Sequence, residues 1–161
     1  MADTITEAIM QSIVERLQAA HGNDLAVQFF PQSPDDYHLA HPVGAVLVGY
    51  SKSSFGVEQD TGLTFVERQL TLPLTLVFCQ LNGPDGVIGW LDRLRETLTG
   101  FTPAHCDAPL RPTAEYAISE TSGIWQYGQE WATRTVQVQA FEAGFASTAA
   151  ALLQPNFEGA F

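Results

Sequence analysis

Apolar and polar positions recur with two different periods along this chain. Ile5, Ile9, Ile13 and Leu17 are spaced four apart, with Ala8 and Val14 widening the stripe. This spacing predicts an amphipathic helix over residues 5–20. Thr4 followed by Glu7 fits a capping box at its start, and Gly22 offers a left-handed stop. Leu25–Phe30 is a short apolar run closed by Pro31, and Ala45–Tyr50 is another, apolar on both faces as in a central strand. Between them, residues 31–42 hold three prolines, the Asp35–Asp36 pair and Tyr37, and read as loop. Residues 51–62, rich in Ser and Gly, read as a flexible loop.

The period then changes to two. Over residues 63–81, Leu70, Leu72, Leu74, Leu76 and Phe78 fall on one face, with Thr71, Thr75 and Cys79 on the other. That strand exceeds the ordinary length of about 5–6 residues. Pro73 lies inside it and has no N–H to give a ladder, so a bulge or a stretch of open edge is expected there. After a turn at 82–86, Val87, Leu91, Leu94 and Leu98 mark a second helix over 87–98, ended by Gly100. Asp92, Arg93, Arg95 and Glu96 line its other side. Residues 101–112, with three prolines, read as a surface linker. Strands are expected at 114–119 and 131–141, with GIWQYG at 123–128 joining them or extending one. The pattern gives an α+β fold: a mostly antiparallel mixed sheet of about four to six strands with two helices packed on one face. One domain spans 1–141, and residues 142–161 form an Ala-rich tail, a short helix or a flexible end.

Composition narrows the partners. Eighteen acidic residues face seven basic ones, a formal charge of −11, and Lys52 is the single lysine. Phosphate binding needs clustered cations, so nucleic-acid recognition and docking on anionic membrane are disfavoured. The two cysteines, Cys79 and Cys106, do not make a disulfide framework and read as free thiols of a reducing compartment. No basic-then-apolar leader opens the chain, and no apolar run approaches the roughly 20 residues of a membrane span.

The search for chemistry finds little. His38 and His41 stand beside Asp35 and Asp36, but in a Pro-rich loop that lacks a helix to present both imidazoles together. His105 and Cys106 are adjacent, a poor nucleophile–base arrangement because neighbouring side chains point apart. No phosphate loop, dinucleotide fingerprint or nucleophile elbow is present. The sequence therefore predicts no catalytic residue, no metal and no cofactor. Trp125, Tyr127 and Trp131 form an aromatic group read either as core under a sheet corner or as interface anchors.

The runs FPQSPDDYHLAHPVGAVLVGYSKSSFG, ERQLTLPLTLVFCQL, GVIGWLDRLRETLTGF and GIWQYGQEWA, in that order, resemble the Mu-like prophage tail proteins, relatives of the siphophage tail terminator exemplified by phage lambda. The likeness covers about residues 5–141. It implies a non-enzymatic ring, usually a hexamer, assembled in the host cytoplasm. Such a ring caps the head-proximal end of the virion tail tube, stops its polymerisation and presents a surface to the head connector. Its partners would be further copies of itself, the tube protein and the connector, with DNA passing through the lumen unbound. Residues 63–81 and the 51–62 loop are the natural places to offer strand edges. Tyr50, Lys52, Phe55, Arg68, Pro73, Trp125, Tyr127 and Trp131 are the candidate contact residues. The competing readings are another head–tail joining or tail-completion protein, a small hydrolase using Cys106 or His38 and His41, and a ligand-binding domain with a pocket behind Trp125.

Overall fold

The computed structural model describes residues 4–140 apart from 58 and 61; the tail at 142–161 lies outside the described residues. The first helix, α1 (Ile5–His21), starts as its sequence dictates. The Thr4 hydroxyl accepts the Glu7 N–H at 3.2 Å and the Glu7 carboxylate accepts the Thr4 N–H at 3.1 Å, completing a capping box. The expected left-handed stop is not there. Gly22 has φ −61°, and a Cβ on it would stand 2.5 Å from the Gln18 carbonyl oxygen. Glycine is needed at that position for close backbone approach, not for a positive φ. Gly100, after α2 (Val87–Leu98), does take the left-handed conformation, at φ +87°.

The strands are β1 (Ala26–Phe29), β2 (Gly44–Val48), β3 (Lys52–Phe55), β4 (Gln59–Asp60), β5 (Thr64–Phe78), β6 (Ala108–Thr121) and β7 (Ile124–Val138). Their order across the sheet is β1-β2-β5-β7-β6, with β3 and β4 also paired to β5. Only the β1–β2 pair is parallel, so the sheet is mixed and mostly antiparallel as expected. β5 is its spine. One edge pairs with β7 from Phe65 to Phe78, and the other is shared in succession by β2, β3 and β4.

Pro73 sits where that second edge changes partner. Val48 pairs with Leu74 and Lys52 with Thr71, so one extra residue on the β2–β3 side makes a bulge at Gly49–Ser51. The Pro73 carbonyl accepts the Gly49 N–H at 2.9 Å. A strand residue's N and C=O point the same way, so the N–H that proline lacks would fall at the break, where its loss is least costly.

Both helices lie on one face. Ile9, Ile13, Val14 and Leu17 of α1 and Val87, Trp90, Leu91, Leu94 and Leu98 of α2 pack with Leu70, Leu72, Leu74, Leu76, Phe78 and Trp131 in the main core. On the opposite face Ala45, Leu47 and Val77 form a smaller cluster under Tyr37 and Leu39 of the 30–42 loop. Gly44 marks how closely the main core is filled. A Cβ there would fall 2.6 Å from the Phe78 ring, which is fully buried and has no room to withdraw. Gly44→Ala is expected to lower stability by about 1–3 kcal/mol through overpacking, measured as a fall in the urea midpoint; an unchanged midpoint would show the ring to be movable.

Three expected boundaries shift. The 51–62 segment is not all loop, because β3 and β4 form along the exposed end of β5. β6 begins at Ala108, inside the expected Pro-rich linker: Pro109 and Pro112 are tolerated on an edge strand with register shifts beside them. Residues 124–128 of GIWQYG open β7, and its first residue, Gly123 (φ 80°), forms the turn with Ser122 (φ 52°), a two-residue hairpin of the type that needs positive φ at both positions. No helix among the described residues is long and apolar enough to cross a membrane.

Candidate subunit-interface site

The structure divides the eight candidate contact residues into separate places. Trp131 is 1 % exposed in the core of its own subunit, and its indole N–H donates to the Gln129 side-chain carbonyl at 2.9 Å. It offers nothing to a neighbour, and of its two readings packing is the one realised. Trp125 and Tyr127 are half-buried against the same core at the far end of β7. Pro73 marks the break between β2 and β3. Of the remaining four, Tyr50, Phe55 and Arg68 converge beside β3, and Lys52 lies on the opposite face of that strand.

Arg68 is the centre of that group. It is 9 % exposed, and its register partner on β3 is Phe55. Its Nε–H donates to Ser53 Oγ at 2.8 Å, and one terminal nitrogen donates to Thr6 Oγ1 at 2.9 Å and to the Tyr50 hydroxyl at 3.4 Å. The guanidinium carbon also stands 5.6 Å from the centre of the Tyr50 ring. Tyr50 and Ser53 hydrogen-bond each other at 2.7 Å. That bond, and then the one from Arg68, hold the Tyr50 phenol below its ordinary pKa. Thr6 and Ser53 were invisible as site residues in the sequence. Thr6 lies 62 positions from Arg68, and no local pattern announces that contact.

Arg68 differs from the other five arginines in being buried. Arg95 binds the carboxylates of Asp92 and Glu115, and Arg134 binds Asp107 at 2.9 Å and approaches Glu67 at 3.9 Å. Arg93 donates to the Pro84 carbonyl and Arg16 to the Thr97 carbonyl in the last turn of α2. Arg68, the buried one, meets neutral hydroxyls alone, and no carboxylate among the described residues pairs with it. Its Thr6 partner lies in the first turn of α1, the positive end of the helix dipole.

Apolar surface surrounds this cation. Its register partner Phe55 is 60 % exposed, and the Tyr50 ring against it is also open to solvent. Among the described residues β3 pairs with β5 alone, so its outer edge is unoccupied. Lys52 points to the opposite face and lines a shallow cavity with Ser51, Arg111 and Glu130.

The groups considered for chemistry do not gather. His41 Nδ1 accepts the Val43 N–H at 3.1 Å, which commits that nitrogen to the loop. Burial pushes the Cys106 thiol up, away from the thiolate a nucleophile needs. Among the described residues no group of three or more His, Cys, Asp and Glu could hold a metal ion.

A chain of the virion of a native gene transfer agent particle is similar in structure, with TM-score 0.51 at 11% identity, covering 84% of this chain and 100% of that one. That likeness is one of fold. No curated protein matches the sequence. The model of the Gp37 protein family matches residues 13–158, nearly the whole length, and the chain belongs to that family.

Proposed function

We propose that the chain is a structural component of a phage-like particle, and within it the tail terminator. Copies of the chain close into a ring, a hexamer by resemblance to the lambda-type terminators, on the head-proximal end of the tail tube. The ring stops tube growth and receives the head connector. The observation that carries the reading is the β3 edge: a strand whose outer side is unpaired among the described residues, beside a buried arginine that meets no carboxylate among them and lies against exposed Tyr50 and Phe55. A free subunit gains nothing from that arrangement, whereas a subunit with a neighbour on that side does. The fold shared with a virion chain of a gene transfer agent particle supports the class. The charge of −11 suits a lumen through which DNA slides without sticking.

Particles assembled without this chain are expected to carry tails of uncontrolled length, seen by electron microscopy. Normal tails lacking only heads would point instead to a joining protein, and normal particles would sink both roles.

A further inference from the structure

We infer that Arg68 is the receptor for a carboxylate supplied by a second copy of this chain, seated across the open edge of β3. The inference rests on the ring reading above and names the contact that would hold the ring together. A cation taken out of water is costly unless it is paired. Arg68 is nine-tenths buried, yet its acceptors are the uncharged hydroxyls of Thr6, Ser53 and Tyr50. Those contacts use Nε and one of the two terminal nitrogens, and among the described residues no hydrogen bond is made by the other. Half of the planar fork that suits a carboxylate is therefore still available.

The occupant follows from charge and placement. The dipole of α1 adds positive potential at Thr6, so an anion is favoured here. A chain with eighteen carboxylates and seven cations has carboxylates in excess, and a second copy brings the same excess to the contact. The surround fits a protein partner better than a free anion. Tyr50 and Phe55 supply exposed aromatic surface beside a buried arginine, the composition that dominates binding energy at protein contacts. The outer edge of β3, unpaired among the described residues, offers backbone groups beside it. An edge of one copy that meets a different surface on the next is a heterologous contact, the type that closes rings.

The test is sedimentation velocity of the full chain, alone and with purified tail-tube protein, comparing the native sequence with Arg68→Met and Phe55→Ala. Methionine fills the buried site without charge, so the subunit is expected to stay folded, with unchanged circular dichroism. Its self-association should fall on the order of 30-fold, because the neighbour's carboxylate is left buried and unpaired. Phe55→Ala should also weaken association, leaving the guanidinium in place. Native-like association of a folded Arg68→Met overturns the inference. So does a native chain that stays monomeric under both conditions, or one that pairs through this edge only with the tube protein. The ring contact and the role separate cleanly. If Arg68→Met loses self-association while particles lacking the chain have normal tails, the contact stands and the terminator role fails. If tails run to uncontrolled length without the chain while Arg68→Met assembles normally, the role stands and the contact fails.

Discussion

Trp131→Ala is expected to cost about 3–5 kcal/mol of folding stability, the range for emptying a fully buried aromatic site. The indole is enclosed by the main core, pairs across the sheet with Leu72 and is 1 % exposed. Its neighbours on β5 are held by a fourteen-residue ladder to β7, so the sheet has little freedom to collapse into the space. Against a typical total of about 5–15 kcal/mol, such a loss is a large part of the whole. Urea unfolding should show the midpoint falling with an unchanged slope. A loss below about 1 kcal/mol accompanied by weakened self-association would instead make the indole a contact between subunits.

Gln129→Leu is expected to cost about 1–3 kcal/mol, the penalty for a buried polar group left without its partner. Gln129 is fully buried, accepts the Trp131 indole N–H, and donates to the Leu91 carbonyl of α2 at 3.0 Å and to Glu115 of β6 at 2.6 Å. Glu115 in turn accepts from Arg95 at 2.5 Å, so one amide joins β7, β6 and α2. Leucine keeps the volume but strands the indole N–H. The cost should therefore shrink in a Trp131→Phe background, where there is no N–H to strand. A double-mutant cycle measured by thermal unfolding checks this, and strict additivity of the two substitutions would show that the relay contributes nothing.

Much of the scaffold could be read from the chain because its elements bury one face. The three- and four-residue spacing of α1 and α2 and the alternation of β5 leave few alternatives, and Pro73 announces the break beside it. What escaped reading depends on partners. Lys52–Phe55 has no marked alternation, and it is a strand because β5 offers it an edge. β6 carries two prolines and is exposed from Arg111 to Thr121, so nothing in its burial pattern distinguishes it from a linker. Gly128, read as one end of a glycine-flanked aromatic cluster, is small because the Tyr116 ring crosses it, with a would-be Cβ 2.5 Å from that ring. The candidate contact residues were partly legible. Tyr50, Phe55 and Arg68 do meet, but the same aromatic signal also picked out Trp131, which serves the interior.

The extra residue at Gly49–Ser51 also sets the parity of everything that follows it. In β2 the even positions, Val46 and Val48, face the helices; in β3 the odd ones, Ser53 and Phe55, lie on that side. If the ladder ran through all three of these residues without a bulge, Lys52 would pair with Leu70 and Ser54 with Arg68. Lys52 and Ser54 would then turn toward Arg68, placing a second cation against the first, while Phe55 moved to the far side. The bulge thus decides which face carries charge, and deleting one of the three residues would let the ladder close with Ser53 and Phe55 still on the helix side.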